Sequence, residues 1–271
     1  MQTKEPEGSI IQTEEDPRFE LYTSEYLKRF EAKYPEFTQE QVRKTIPFCE
    51  ELALERVKTE DLADNDHLTD LLNRRGFYKY VTQRFQQYNR EVRLQRINPE
   101  DIKASILYMD LDKFKLVNDT YGHKKGDEVL QTFSEIMKGM RSFDIVARYG
   151  GEEFTAFLDG EDGEGAVQTA DRIRMDTSDL FHQRFPDLDW PKTISCGVYQ
   201  LPPFTAELLD SGKDWRHLIE QAVHYADIAH YKGAKEAGRN KIGAMVPNGR
   251  IYTAVLLSPH GEPPKIHYQE I

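Results

Sequence analysis

The apolar residues of the chain repeat with two different periods, and the change of period divides the sequence into three stretches. Across residues 20–64 they recur at helical spacing, and Pro35 and Pro47 are predicted breaks between two or three helices. Across residues 66–243, short apolar runs bounded by Gly, Asp or Pro alternate with helical stripes. The last stretch, 244–271, contains two apolar runs separated by prolines and predicts an added strand or hairpin.

The middle stretch predicts a sheet with helices packed on it. Helical stripes lie at residues 129–140 and 218–229, and such stripes are more typical of a core than of a binding surface. The order of elements favours an α+β fold of the ferredoxin-like type, with a central antiparallel sheet and flanking helices. The predicted strands are Ser105–Met109, Ile145–Tyr149, Phe154–Leu158 and Thr193–Tyr199.

Charge separates the first stretch from the rest. The 271 residues carry a formal net charge of −11, and residues 1–65 contain sixteen acidic against nine basic side chains. A net negative chain lacks the basic footprint of a general nucleic-acid binder, so we expect no nucleic-acid partner. We therefore predict an acidic helical segment at 1–64 that regulates or dimerises the protein, a main domain at 65–243 and a C-terminal extension at 244–271.

Membrane insertion and disulfide bonding are not expected. No run approaches eighteen uninterrupted apolar residues, and the start, MQTKEPEGSI, has neither the basic flank nor the apolar stretch of a signal peptide. The two cysteines, Cys49 and Cys196, lie far apart and outside any metal-spaced cluster, which excludes a disulfide framework and a zinc finger. These features predict a soluble cytoplasmic protein.

The first candidate for chemistry is M-D-L-D-K-F-K at 109–115, directly after a predicted strand. Carboxylates at a strand end can hold a hard cation together with phosphate oxygens, and Mg²⁺ is the obvious candidate. The same D-x-D also occurs in solvated turns and in haloacid-dehalogenase-type phosphatases, although that family has Thr or Val where Phe114 stands. These residues alone leave the three interpretations open.

The second candidate is R-Y-G-G-E-E-F at 148–154, between two predicted strands. Two glycines allow a tight hairpin and let a phosphate approach the backbone closely. The adjacent acids Glu152 and Glu153 would repel each other unless a cation or a lysine compensated them. A plain hairpin explains the glycines but not the two acids.

At 150–154, G-G-E-E-F resembles the signature of GGDEF domains, the diguanylate cyclases. The similarity extends over about two thirds of the chain in ordered motifs: D-H-L-T-D-L-L-N-R-R at 66–75, the run 110–127, and A-K-E-A-G-R-N at 234–240. Asp70 stands where a glycine is frequent, and the segment before residue 66 is too short for a typical sensory domain. The family's palm fold, that of nucleotidyl cyclases, agrees with the predicted order of elements.

The resemblance implies an enzyme whose catalytic domain, 65–243, takes part in condensing two GTP into cyclic di-GMP and two pyrophosphates. It implies Mg²⁺, or Mn²⁺ in its place, as cofactor and a homodimer as the active form. The implied metal site consists of Asp110, the backbone carbonyl of Leu111, Glu152 and Glu153. One of the two glutamates would also activate the attacking hydroxyl, and which one stays open. Lys115 would lie near the phosphates and stabilise the transition state.

The resemblance also implies a GTP site. Asn118 and Asp127 match positions that grip guanine, since an amide and a carboxylate can pair with its edge. Lys235 and Arg239 match cations that bind the β- and γ-phosphates. The full implied substrate-binding set is Asn118, His123, Asp127, Lys235, Arg239, Gly150 and Gly151.

Arg141 and Asp144 form an R-x-x-D tetrapeptide nine residues before the signature. This offset matches the inhibitory site at which many family members bind their own product, because arginine can grip a phosphate and stack on guanine. Two alternatives remain: a noncatalytic cyclic di-GMP receptor, and a cyclase that makes a mixed cyclic GMP-AMP. The intact signature favours an enzyme over a receptor, and the retained Asp127 favours guanine.

Overall fold

The computed structural model describes residues 16–205, 214–246, 249–257 and 265–270. The chain divides into two units, residues 1–63 and residues 64–271. No helix among the described residues is both long and apolar enough to cross a membrane.

The first unit is helical. An ion pair of 2.8 Å between Arg18 and Asp61 connects its first and last helices. Pro47, predicted to break a helix, is instead the second residue of one, where a missing N–H costs no intrahelical hydrogen bond. The helices are α1 (Pro17–Lys33), α2 (Gln39–Arg43) and α3 (Ile46–Asp64), whose last residue is the first of the second unit.

The second unit alternates helices and strands. Its helices are α4 (Arg74–Arg93), α5 (Phe114–Tyr121), α6 (His123–Lys138), α7 (Gly163–Arg184) and α8 (Trp215–Ala229), which continues into a π-helical turn (His230–Lys235). Its strands are β1 (Ala104–Leu111), β2 (Ile145–Arg148), β3 (Glu153–Asp159), β4 (Ile194–Gln200), β5 (Ile242–Met245), β6 (Ile251–Leu257) and β7 (Lys265–Glu270). A short 3₁₀ turn, Pro99–Asp101, precedes β1.

Within the described residues these strands form one seven-stranded sheet in the order β2-β3-β1-β4-β5-β6-β7. The central strand β1 is antiparallel to both neighbours, and Asp110 lies opposite Glu153 of β3 and Ser195 of β4. The pairing of β4 with β5 is parallel because α8 and the π turn carry the chain back to the same end of the sheet. The prolines predicted to separate the last two strands lie outside the described residues.

Both faces of the sheet are covered by helices. Leu107 and Met109 of β1 join a core with α6 and α7, whereas Ile106 and Tyr108 join a core with α4 and α8. Since side chains alternate along a strand, Asp110, the last residue but one of β1, lies on the face of α4 and α8. This architecture is the expected palm of a sheet with flanking helices.

The end of α8 packs closely on the sheet. A Cβ on Gly197 of β4 would lie 2.0 Å from the carbonyl oxygen of Ala226, so only glycine fits at this contact. The close approach brings the following π turn, with Lys235 at its end, against the end of β1.

Candidate active site

The site begins with a buried ion pair at the end of β1. Asp110 is 5% exposed, and its Oδ1 accepts a hydrogen bond of 2.9 Å from Nζ of Lys235. Burial raises the pKa of Asp110, and the ammonium of Lys235 opposes this effect without cancelling it. The carboxylate is thus held in a position where its negative charge is poorly solvated.

The second acid of the D-x-D has a different position. Asp112 is fully buried and accepts hydrogen bonds from Oγ1 of Thr193 (2.8 Å), Oγ of Ser195 (2.7 Å) and the backbone N–H of Asn240 (3.0 Å). These bonds attach the loop after β1 to β4 and to the segment after the π turn. Asp112 is therefore a structural residue, and Asp110 alone of the two faces the site.

Arg148 holds the Gly-Gly hairpin in shape. Its Nε and Nη2 donate to the carbonyl oxygen of Gly151 at 3.1 and 2.8 Å, and its Nη1 donates to both carboxylate oxygens of Asp66 at 3.1 and 3.2 Å. Although burial raises the pKa of Asp66, hydrogen bonds from Thr69 and Arg148 lower it overall. One guanidinium thus ties the hairpin to the segment before α4.

The two glutamates of the hairpin have different surroundings. Burial raises the pKa of Glu152, and the negative charge of Asp110 raises it further, so these two carboxylates are near each other. The Glu153 side chain instead folds back over the hairpin, where its Oε2 would lie 2.3 Å from a Cβ on Gly150. Burial raises the pKa of the Tyr108 phenol, and the nearby carboxylate of Glu153 raises it further.

The residues implied for guanine come together between α5 and α6. The Oδ1 atom of Asn118 would lie 2.0 Å from a Cβ on Gly126, so its amide packs directly on the helix turn that carries Asp127. Asp127 and His123 are exposed at the start of α6, where solvent and ligands can reach them.

The three cations that the resemblance implies for phosphate binding lie in different surroundings. Lys115 is exposed on the first turn of α5. Arg239 is exposed just beyond the π turn, in a left-handed backbone conformation with φ 66°. Of the three predicted cations, Lys235 alone is shown in contact with an acid of the site.

Arg141 and Asp144 lie before β2, at the end of that strand away from the hairpin. Nε of Arg141 donates to Asp144 at 3.2 Å, and the guanidinium also pairs with Glu161. Asp144 is 1% exposed and accepts from the backbone N–H of Asp159 at 3.2 Å. A cavity of about 480 Å³ opens beside Asp144. In this arrangement the Arg141 guanidinium is already paired with two carboxylates, those of Asp144 and Glu161.

A known protein family matches most of the second unit. The family described as "Diguanylate cyclase, GGDEF domain" matches residues 63–241, which is more than half of the chain. The chain belongs to the GGDEF family. This membership confirms the expected resemblance and removes the phosphatase interpretation of the D-x-D.

Relatives of known name agree. The chain is 33% identical over 185 residues to "Probable diguanylate cyclase DgcT" and 32% identical over 184 residues to "Diguanylate cyclase DgcM", both from Escherichia coli strain K12. Each alignment covers 68% of this chain but only 36% and 38% of the relative. The chain thus spans little more than a third of the length of these curated relatives.

Solved structures confirm the fold. The coiled coil and GGDEF domain of DgcB from Caulobacter crescentus, in complex with c-di-GMP, is similar with a TM-score of 0.57 at 24% identity, covering 76% of this chain and 98% of that one. Diguanylate cyclase SiaD from Pseudomonas aeruginosa, in complex with its activator SiaC, gives a TM-score of 0.50 at 22% identity and covers 83% of this chain and 78% of that one. The expected palm is therefore the fold of a GGDEF domain.

GGDEF cyclases use a divalent metal ion, and the donor set here suits one. Asp110 and Glu152 offer hard oxygen ligands, and their mutual repulsion is relieved by a cation. Among the described residues, no group of three or more His, Cys, Asp or Glu side chains is arranged to hold a metal. Side chains alone do not complete the coordination, so backbone and phosphate oxygens would have to supply the rest.

Three residues of this GGDEF site had no assigned role in the sequence. Arg148 shapes the signature hairpin, Asp112 fixes the loop after β1, and Tyr108 lies near Glu153, whose charge raises the pKa of the phenol beyond the effect of burial. Arg148 and Asp112 are visible in the motifs as charged residues, but their partners lie up to 128 residues away in the chain. Tyr108 gives no signal, because in sequence it is one more apolar residue of a strand.

Proposed function

We propose that this chain is a diguanylate cyclase that condenses two GTP into cyclic di-GMP. In each half-reaction the 3′-hydroxyl of one GTP loses its proton, its oxygen bonds to the α-phosphorus of the other GTP, and pyrophosphate leaves with the broken bond's electron pair. Two such steps close the ring and release two pyrophosphates. Because one domain binds one GTP, a homodimer with facing sites is part of the proposal.

The observation that carries the proposal is the group of Asp110, Lys235 and Glu152 at the end of β1. Burial and like charge raise the pKa of both carboxylates, which is the electrostatic state expected of a site built for a cation and an anionic substrate. A merely structural ion pair between Asp110 and Lys235 would have no use for a second carboxylate beside it.

We assign the proton acceptor to Glu152. Its raised pKa brings the carboxylate closer to the range in which a base works at neutral pH, and it lies beside Asp110. Glu153 is directed back over the hairpin and serves as a further oxygen ligand. When bound, Mg²⁺ or Mn²⁺ supplies the Lewis acid that neutralises the developing charge on the phosphates; Asp110, the Leu111 carbonyl, Glu152 and Glu153 would hold it.

The remaining cations bind and orient the substrate. Lys235 and Arg239 bind the β- and γ-phosphates, Lys115 lies near the α-phosphate, and Gly150 and Gly151 let the triphosphate approach the backbone. Asn118 and Asp127 read the guanine edge with an amide and a carboxylate, and His123 contacts the nucleotide beside them.

Regulation and organisation are part of the same proposal. Product binds at Arg141 and Asp144, and β2 connects this pair directly to the catalytic hairpin, so occupancy inhibits the enzyme. Residues 65–243 are the catalytic domain, 1–64 regulate or dimerise it, and 244–271 extend it. The enzyme acts in the cytoplasm, where its GTP substrate is found.

The test is product analysis with matched variants. Purified protein given ATP, GTP and Mg²⁺ should make cyclic di-GMP as the dominant product on chromatography. Asp110→Asn and Glu152→Gln should abolish it, whereas Glu135→Gln, which removes an exposed carboxylate paired with Arg184 on the surface, should not. Binding of cyclic di-GMP without any turnover would replace the proposal with a receptor, and abundant mixed product would refute the guanine assignment.

A further inference from the structure

Glu161 lies in the loop between β3 and α7, beside the proposed product site. Its backbone carbonyl accepts a hydrogen bond of 3.0 Å from Oγ of Ser105, a buried residue of β1. Gly160, in a left-handed conformation with φ 77°, turns the chain out of β3, and Asp162 caps α7 by accepting from the backbone N–H of Gly165 at 3.1 Å. The backbone of Glu161 is therefore fixed on both sides.

The side chain of Glu161 is directed at Arg141. Its Oε1 atom accepts from Nη2 of Arg141 and, at 3.2 Å, from Oγ1 of Thr169. The Glu161 side chain is 13% exposed, whereas that of Arg141 is 42% exposed. Within the described residues, the other carboxylate oxygen, Oε2, is buried and accepts no hydrogen bond. An ion pair that served stability alone would be expected to satisfy both oxygens, because a buried unpaired one costs free energy.

Glu161 competes with an anionic ligand for the Arg141 guanidinium. The Nε and Nη2 donors lie side by side on one edge of a guanidinium, and this edge can bind a phosphate with two parallel hydrogen bonds. In Arg141, Nε donates to Asp144 at 3.2 Å and Nη2 donates to Glu161, so both donors are taken. One guanidinium and two carboxylates carry a formal charge of −1. The group in this arrangement repels a phosphate, and a carboxylate has to withdraw before the ligand can bind.

Glu161 is the carboxylate that can withdraw. Asp144 is 1% exposed and also accepts from the backbone N–H of Asp159, so its side chain is attached to the sheet. Glu161 has a side chain longer by one methylene, and apart from Arg141 its carboxylate accepts only from Thr169 among the described residues. When Glu161 withdraws, Arg141 and Asp144 form a pair with no net charge, and the repulsion of a phosphate is relieved.

We propose that Glu161 is an internal competitor for the product site: its carboxylate occupies Arg141 in the ligand-free protein, and cyclic di-GMP binds by displacing it. Glu161 thereby raises the product concentration needed for inhibition, because the ligand binds only the fraction of molecules in which the carboxylate has withdrawn. The inference rests on the proposed product site at Arg141 and Asp144, and it adds a residue outside the R-x-x-D motif that sets the affinity of that site.

Calorimetric titration with cyclic di-GMP tests the inference without turnover. Glu161→Gln keeps the shape of the side chain and removes its charge. The Kd for cyclic di-GMP should fall about three- to ten-fold, the effect of losing one partly exposed, competing charged hydrogen bond. Product inhibition of the same variant should shift to lower product concentrations by the same factor. Arg141→Ala should bind cyclic di-GMP at least ten-fold more weakly than the wild type, because the phosphate loses its donors.

Glu164→Gln is the matched control. Glu164 is exposed on the first turn of α7, three residues after Glu161, and within the described part of the chain no hydrogen bond or ion pair joins it to Arg141. The variant removes the same charge close by, and its Kd should stay within two-fold of the wild type. Circular dichroism establishes that each variant is folded. If Glu161→Gln does not fold, Glu161→Asp shortens the reach of the carboxylate by one methylene and should also lower the Kd.

The outcomes separate the inference from the function beneath it. A Kd within two-fold of the wild type in Glu161→Gln, while Arg141→Ala weakens binding, overturns the inference and leaves the product site in place. Equal tightening in Glu164→Gln also overturns it, since net charge alone would then explain the gain. Unchanged binding in Arg141→Ala refutes the product site and the inference together. A wild type that makes no cyclic di-GMP, but binds it more weakly than Glu161→Gln does, sinks the cyclase proposal and supports the inference.

Discussion

Removing the ammonium of Lys235 should leave the buried carboxylate of Asp110 without its partner. The bond between them is 2.9 Å long, and the Asp110 side chain is 7% exposed against 25% for Lys235. Lys235→Met keeps much of the stem's volume and deletes the charge. The variant therefore isolates the electrostatic part of the contact from its packing.

The magnitude follows from the burial of the acceptor. A hydrogen bond to a charged group contributes about 1.5–3 kcal/mol, and the partial exposure of Lys235 favours the lower half of this range. We expect a loss of about 2 kcal/mol in the free energy of unfolding. In a unit of about 200 residues this corresponds to a fall in Tm of about 4–8 °C.

The assay is urea and thermal unfolding of the nucleotide-free protein across pH. Burial raises the pKa of Asp110 in the folded state. Above that pKa the acid is ionised, its buried charge destabilises the folded state, and the ammonium of Lys235 partly offsets this cost. The effect of Lys235→Met should be complete at neutral pH and should vanish once the pH falls below the folded-state pKa of Asp110, where the acid is protonated with or without Lys235.

Two controls make the reasoning refutable. Lys103→Met removes a 3.0 Å ion pair with Asp162 in which both side chains are 40% exposed or more, and it should cost less than about 1 kcal/mol. The double variant Asp110→Asn/Lys235→Met should recover most of the lost stability. Equal destabilisation by Lys235→Met at pH 4.5 and pH 8, or a double variant as unstable as the two single effects added, would refute the account.

Three further predictions concern other contacts. Arg141→Ala should relieve noncompetitive inhibition by added cyclic di-GMP at least ten-fold with the KM for GTP unchanged, and initial rates showing simple competition with GTP would contradict it. Arg148→Lys cannot reach both Gly151 and Asp66, so kcat should fall about ten-fold in steady-state assays; a wild-type kcat would contradict this role. Asp112→Ala leaves three donors without their carboxylate, the buried hydroxyl of Ser195 among them. It should lower the free energy of unfolding by about 3–5 kcal/mol in urea titrations, whereas a loss below about 1 kcal/mol would not fit.

The sequence predicts the sheet well because its strands are short, apolar and bounded by turn residues. Strand β1 was expected at 105–109 and spans Ala104–Leu111, and β3 was expected at 154–158 and spans Glu153–Asp159. β1 runs one residue past Asp110 and β3 begins at Glu153, because the ladder continues through the pair of Asp110 and Glu153. From sequence alone, polar residues at the end of an apolar run indicate a turn, although a cross-strand partner can keep such residues in the sheet.

The sequence indicates the charged residues of the candidate site, but not the residues that hold them in place. The motifs and the family resemblance indicate Asp110 and Glu152, and the charge of Asp110 raises the pKa of Glu152 in the structure. They do not indicate that Asp112 is structural, because its donors Thr193 and Ser195 are distant in the chain. Nor does helical periodicity anticipate the π turn at 230–235, which depends on close packing of its backbone against β4 and β5.

Turnover of GTP across a protein dilution series tests the central claim most directly. With saturating GTP and Mg²⁺, cyclic di-GMP formed per chain per unit time should rise with protein concentration and reach a plateau, because each product requires two facing domains. Glu152→Gln should give no product at any concentration. The account would be contradicted by a wild type that forms no cyclic di-GMP even where the chain is shown to be dimeric, or by a Glu152→Gln variant that matches the wild-type plateau.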